Sequence, residues 1–192
     1  YDSYPAIVAA GPNTMIAHYG LNNTTVDDGE IIMMDYAPDY RYYSTDITRT
    51  WPANGRYTER QRQVYLDCLE IEQRMIDALR PGLTPRELYW ICWNTADELG
   101  YTNYDRFTPF HTIGMCVHGP WFGWDTPIQA GETYAIEPGL YLQNEGWGAR
   151  IEDVVLVTEA GGVILSDMIP RHPDEIEAIM AVCSFGGNGA NR

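Results

Sequence analysis

Acids placed among large apolar residues are the groups in this chain best able to do chemistry. Asp35 closes the run EIIMMD, Glu137 closes ETYAIE, Glu152 lies in ARIEDVVLV, and Asp46 lies in YYSTDITRT. An acid in such a setting is costly to bury unless a cation or hydrogen-bond donor meets it. With Pro38-Asp39 as the turn signal, a hairpin centred between Tyr40 and Arg41 sets Asp35 directly opposite Asp46. Asn144-Glu145-Gly146 is a second turn signal, and a hairpin centred there sets Glu137 opposite Glu152. Directly opposed side chains on one sheet face have Cβ atoms about 4.5–5.5 Å apart, where like charges repel. Solvated edge charge would account for either pair alone. Two such pairs in apolar surroundings point to a divalent cation as the neutraliser.

Two histidines add imidazole to this set, in the run His111-Thr-Ile-Gly-Met-Cys-Val-His118. Seven residues apart, they fall on opposite faces of a straight strand. Both can serve one site only where the backbone bends, and Gly114 is the place for a bend.

The elements that must position these groups follow from periodicity. From Tyr4 to Thr50, short apolar runs broken by turn residues (PAIVAA, GPN, TMIAHYG, EIIMMDYAP) read as strands joined by tight turns. From Thr58 the apolar residues Val64, Leu66, Leu69, Ile71, Met75, Ile76 and Leu79 follow helical spacing until Pro81-Gly82. Thr84-Pro85 with Glu87 is an N-cap signature for a second helix ending at Leu99-Gly100. Strand texture returns from Phe107 to about Ser166, and residues 173–182 read as a short final helix. The pattern predicts an α+β fold with a largely antiparallel sheet and helices on one face. We expect one domain over residues 1–183 and a flexible Gly- and Asn-rich tail over 184–192.

Composition narrows the functional classes. The 192 residues carry a formal charge of −15 with only 12 basic side chains, every one an arginine. Nucleic-acid binding is therefore not expected, since phosphate contacts need clustered cations. There is no apolar run long enough to span a bilayer and no leader sequence is visible, so no membrane role is expected and the cytoplasm is the default compartment. The four cysteines, Cys68, Cys92, Cys116 and Cys183, form no CxxC pair and are expected as buried free thiols.

The strings HYGLNN, DDGEIIMMDYAPDYRYYSTDITRTWP, PFHTIGMCVH, AGETYAIEPGLYL, GARIEDVVLVTEAG and PDEIEAIM resemble, in order, the motif series of the pita-bread metallopeptidases. The likeness is to their Xaa-Pro aminopeptidase and prolidase branch and runs from about Asn13 to Met180. It implies the pita-bread (creatinase/aminopeptidase-like) fold, a curved antiparallel sheet with helices on its outer face. It also implies metal ligands at Asp35, Asp46, His111, Glu137 and Glu152, with Asp46 and Glu152 shared by two ions. His18 and His118 are implied as substrate-facing, Glu137 as the proton carrier, and Arg150 as the partner of a ligand carboxylate. Four carboxylates and one imidazole suit Mn²⁺, with Co²⁺ or Zn²⁺ less selectively. The implied reaction is hydrolysis of an Xaa-Pro bond at a peptide N-terminus by a metal-bridging hydroxide.

The sequence departs from the family in two places. Only 17 residues precede His18, where the family has further helices, so we expect an N-terminus that is truncated or natively minimal. An apolar face left open there predicts a homo-oligomer or a missing segment as its cover. Gly119 stands where the family commonly has an acid after the second histidine, followed by Trp121, Phe122 and Trp124, which could wall a prolyl pocket or cover the core. Prolidase, methionine aminopeptidase and a non-catalytic binding module remain alternative readings. The loop between His118 and Glu137 has no Arg or Lys to hold a dipeptide's free carboxylate, which favours longer peptides.

Overall fold

The computed structural model describes residues 2–102 and 106–183. Helix α1 (Glu59–Ala78) starts where Thr58 and Gln61 form a reciprocal capping box, and α2 (Pro85–Glu98) starts on the same device from Thr84 and Glu87, with Pro85 at its first position. The buried positions Val64, Cys68, Ile71 and Met75 recur every three or four residues along α1, giving it one apolar face. That face packs on the sheet, α2 packs on α1, and a third helix, α3 (Pro173–Cys183), also meets α1. Tyr65, Met75, Leu88, Trp93, Phe110 and Ile151 fill the core between helices and strands.

The strands form two long hairpins, each interrupted once. In the first, β2 (Ile31–Tyr36) and β5 (Ile47–Pro52) continue into the short pair β3 (Asp39–Tyr40) and β4 (Tyr43–Ser44), while β1 (Ile7–Ala10) flanks β2. In the second, β7 (Thr133–Ile136) and β10 (Asp153–Thr158) continue into β8 (Gly139–Leu142) and β9 (Trp147–Arg150). β6 (Phe110–Thr112) flanks β7 and β11 (Gly161–Ile164) flanks β10. The Thr48 carbonyl accepts from the Glu152 amide at 3.0 Å, and the Thr50 hydroxyl donates to the Arg150 carbonyl at 2.8 Å. These bonds join β5 of the first hairpin to the second where β9 gives way to β10.

The first hairpin corrects two sequence expectations. Its register pairs Asp35 with Thr48, not with Asp46. The turn is Arg41-Tyr42, both at positive φ (53° and 72°) as a two-residue type I′ turn requires, and Pro38-Asp39 instead leads into β3. No glycine or asparagine marks that turn, so the local signal pointed elsewhere. The run TMIAHYG is also not a strand. Gly11–Met15 is a 3₁₀ turn with Pro12 near its start, held by the Thr14 hydroxyl on the Gly11 carbonyl, and His18 lies in the turn that follows. The second hairpin has the expected register, with Gly139 opposite Arg150 and Leu142 opposite Trp147. Cys68 and Cys92 are buried thiols but Cys116 is exposed. The Cys183 side chain and the 184–192 tail lie outside the described residues.

One buried ion pair ties these parts together. Arg49 donates to Asp153 Oδ1 at 2.8 Å, to the Glu152 carbonyl at 2.6 Å and to the Pro170 carbonyl at 2.7 Å. Breaking such a pair strands a buried carboxylate. Arg49→Met is expected to destabilise the protein by about 3–5 kcal/mol in urea unfolding. Arg60→Ala, which removes an exposed pair with Glu145, is expected to cost less than about 1 kcal/mol. Similar losses for the two variants would show that the Arg49 network is not a structural tie.

Candidate metal centre

The interruptions are where the chemistry sits. Asp46 lies between β4 and β5, Glu137 between β7 and β8, and Glu152 between β9 and β10, with Asp35 on β2. The Glu137 amide donates to the Pro109 carbonyl at 2.9 Å, which brings its side chain beside His111 on β6. His111 Nε2 lies 3.4 Å from Asp46 Oδ2, 3.6 Å from Glu137 Oε1 and 3.9 Å from Glu152 Oε1. Its Nδ1 is 3.2 Å from the Thr112 carbonyl, a bond that turns the Nε2 lone pair to the acids. One ligand atom each from Asp46, His111 and Glu152 lies within 4.8 Å of the others. Although not opposed in register, Asp35 and Asp46 still converge, each with a carboxylate oxygen within hydrogen-bond reach of the Tyr4 hydroxyl, whose one hydrogen they share.

Arg150, 2% exposed, is the cation nearest the acids. It reaches Asp35 Oδ2 at 2.5 Å, the Thr48 hydroxyl at 3.2 Å, the Tyr141 hydroxyl at 2.8 Å and the Ala17 carbonyl at 3.2 Å. Thr48 passes the interaction on, donating to Glu152 Oε2 at 2.8 Å. Three residues here were not among the sequence candidates: Tyr4, Thr48 and Tyr141. Tyr141 could have been found from the second hairpin's register, in which it is the diagonal, same-face neighbour of Arg150. Its ring lies over Gly148, where a Cβ would come within 2.6 Å of it, so only glycine fits opposite. Tyr4 and Thr48 carry no such local signal.

The electrostatics leave these acids short of positive charge. Burial raises Glu137 from its ordinary 4.5 to about 7, against the opposing pull of Arg150 and His111. Burial also raises Asp35 and Glu152, and for Glu152 the neighbouring Glu137 and Asp46 add to the effect. Burial disfavours a charged His111, but Asp46 and Glu137 outweigh it and raise its pKa. Arg150 stays a cation because Tyr141 and the carboxylates outweigh its burial. Glu152 Oε1 is buried and has no hydrogen-bond partner, although it faces the shared space between Asp46 and His111. A divalent cation fits that space, with hard oxygen donors and one imidazole around it.

A cavity of about 520 Å³ opens beside these groups, lined by His18, His118, Glu137 and Arg150 on its polar side and by Phe107 and Trp124 on its apolar side. The His118 ring stands edge-on to His111 at 4.5 Å, so the bend at Gly114 does bring both imidazoles to one place. Burial and the neighbouring His111 lower the His118 pKa. Gly119 packs on β6, its amide donating to the Thr112 carbonyl at 2.7 Å. A Cβ there would lie 2.7 Å from the Thr112 hydroxyl, so the acid common at this position in the resembled family would not fit. Trp121 and Trp124 both line the cavity, with rings 5.0 Å apart, whereas Phe122 is not part of its lining.

The sequence profile of metallopeptidase family M24 matches residues 1–159. This chain belongs to that family. It is 34% identical to the Xaa-Pro aminopeptidase of Escherichia coli K12 over 94% of this chain and 47% of the relative. With the Xaa-Pro dipeptidase of Pyrococcus furiosus it shares 32% identity over 83% of this chain and 46% of the relative. The solved structure of E. coli aminopeptidase P superposes with a TM-score of 0.85 at 32% identity, covering 95% of this chain and 48% of that one. The fold is therefore pita-bread, and the chain spans about half the length of these relatives. M24 is a metallopeptidase family, in keeping with a triad here that could hold a metal ion.

The raised carboxylates give a stability test with a definite sign. A group whose folded pKa is raised contributes fully below its unfolded value and loses that contribution as pH rises through the folded one. Between pH 4.5 and about 7, chelator-treated protein is expected to lose a few kcal/mol relative to its Glu137→Gln variant. Millimolar Mn²⁺ above pH 7 is expected to restore the loss in the parent alone. Parallel pH profiles, or a thermal midpoint indifferent to Mn²⁺, would count against a cation site.

Proposed function

We propose that this chain is the catalytic part of a peptidase that holds two divalent ions, Mn²⁺ by preference, and cleaves Xaa-Pro bonds at peptide N-termini. Asp35, Asp46, His111, Glu137 and Glu152 would hold the ions, with Asp46 and Glu152 shared. The observation that carries this reading is the buried Glu152 Oε1, without a hydrogen-bond partner, beside Asp46 and His111, the last of which lines an aromatic-walled cavity. When bound, the ions polarise the scissile carbonyl and activate a water.

The remaining steps belong to side chains. Glu137, tuned to near neutrality and lining the cavity, takes the proton of the attacking water and returns it to the leaving prolyl nitrogen. That nitrogen carries no hydrogen in an Xaa-Pro bond, so it must receive one to leave as an amine. His118, whose lowered pKa keeps it neutral, donates to the carbonyl oxygen as it gains charge. His18 lines the same cavity and positions that carbonyl. Arg150 is a positioning residue that orients Asp35 directly and Glu152 through Thr48. Phe107, Trp121 and Trp124 supply the apolar wall for a proline ring.

The absence of Arg and Lys between His118 and Glu137 supports substrates longer than a dipeptide. With Mn²⁺ present, an Xaa-Pro-Yaa-Zaa peptide is expected to outcompete an Xaa-Pro dipeptide. Cleavage confined to the dipeptide would reverse the length preference, cleavage only after methionine would identify a methionine aminopeptidase, and none at all would leave a binding module. His118→Ala is expected to lower turnover by about 10²–10³ while keeping its metal, and His111→Ala to lose metal. Metal analysis with the opposite pattern would exchange the roles of the two histidines.

A further inference from the structure

A second groove, of about 260 Å³, adjoins the cavity and shares Phe107, Thr108 and Trp124 with it. Two arginines line it: Arg86 at the start of α2, and Arg106 just before the strand that carries His111. Each guanidinium lies over an indole, Arg86 on Trp124 at 6.0 Å and Arg106 on Trp90 at 5.9 Å. Stacking occupies the face of a guanidinium and leaves its rim of N–H donors for a planar anion. Both arginines also pair with aspartates at the surface, Arg86 with Asp125 and Arg106 with Asp97. Arg106 engages Asp97 through Nη2 alone. Arg86 holds Asp125 with both Nε, at 2.7 Å, and Nη2, at 2.9 Å, a fork that is kept more firmly, whereas an exposed pair made through one nitrogen, as Arg106 makes, is weak and exchanges partners at little cost.

We propose that this groove takes a carboxylate on the downstream part of the peptide, whether its free C-terminus or an acidic side chain beyond the proline. The proposal rests on the peptidase reading above and specifies which peptides it prefers. Charge sets the direction of the bound chain. A substrate's N-terminal ammonium is drawn to the acid cluster of Asp46, Glu137 and Glu152, of which Glu137 lines the cavity, and finds no such excess of charge in the groove, where each arginine is already paired. The chain leaving the scissile bond then runs along the Phe107 and Trp124 wall into the groove, where the donors complement a negative end. Because Asp125 and Asp97 already balance the two arginines, the gain comes from hydrogen-bond geometry and not from net charge, and it is modest.

The test uses tetrapeptides of one sequence, Ala-Pro-Ala-Xaa, whose scissile amide is replaced by a reduced CH₂–N bond so that they bind without turnover. Three forms are titrated by tryptophan fluorescence, which Trp90 and Trp124 report: a free acid ending in Ala, its C-terminal amide, and an amide ending in Glu. At least one carboxylate-bearing form is expected to bind about three- to tenfold more tightly than the neutral amide, and which one identifies the source of the carboxylate. In Arg86→Gln/Arg106→Gln that ratio is expected to fall to about one, and in Arg86→Lys/Arg106→Lys to be partly kept. Equal binding of all three forms by the parent would overturn the proposal, as would a preference that survives the double glutamine variant. Hydrolysis of ordinary Ala-Pro-Ala-Ala is followed in parallel. Charge preference without hydrolysis would defeat the peptidase reading and leave the groove standing, whereas hydrolysis with equal binding would do the reverse.

Discussion

Mutual repulsion among buried carboxylates is the constraint around which this structure is organised. Asp35, Asp46, Glu137 and Glu152 converge with His111 on one small volume, with Arg150 as the cation nearest them. One guanidinium cannot balance four acids, and Asp35, Glu137 and Glu152 are all shifted upwards, by burial first and by the neighbouring carboxylates in addition. Neutral donors meet part of the shortfall, through the Tyr4 and Thr48 hydroxyls. The remainder is the affinity the site would offer a divalent ion, since binding energy withheld in the metal-free fold is returned when the charge is matched.

The strands are broken where Asp46, Glu137 and Glu152 stand, while Asp35 lies within β2. Side chains along extended backbone alternate between faces, and this alternation is kept across the break between β9 and β10. At the break between β9 and β10, Arg150 and Glu152 serve the centre while Asp153 turns the other way. Asp153 is met there by Arg49 at 2.8 Å and by the Ser166 hydroxyl at 2.5 Å. Arg171 adds a further contact at 2.8 Å and also holds the buried Glu72 of α1 at 2.7 Å. Consecutive acids thus feed two separate networks. The second network fixes α1, the sheet and the segment before α3 as one support, so that the first can be held against its own repulsion.

The same division explains how the aromatic residues are used. Trp93, Tyr89 and Phe107 lie edge to face between α2 and the cavity, and Trp124 continues the series to the rim. Rings packed in this way are rigid at small entropic cost, which suits a wall that must keep its shape beside a charged centre. The apolar wall and the acid cluster share one cavity because Tyr141 belongs to both, touching Phe107 with its ring and Arg150 with its hydroxyl.

Much of this was legible in the sequence, and the rest was not for reasons that lie in the range of the interactions. Helices α1 and α2 were readable because caps and apolar spacing act within a few residues, and Thr58, Thr84 and Pro85 carry their own signals. The second hairpin was readable because its turn residues lie in the middle of two well-patterned runs. In the first the turn centre lies one residue further along than its sequence implies, since Arg41 and Tyr42 adopt left-handed backbone that nothing local demands. A strand was assigned around His18 because apolar composition alone does not supply a pairing partner. Which acids could act together was visible from residue type. That Asp35 meets Asp46 at Tyr4 was decided only when the segment before β1 closed on the first hairpin, and that Glu152 is oriented by a threonine 104 positions away only when the two hairpins docked. Local sequence encodes turns and periodicity, but contacts between distant segments exist only once the chain has closed on itself.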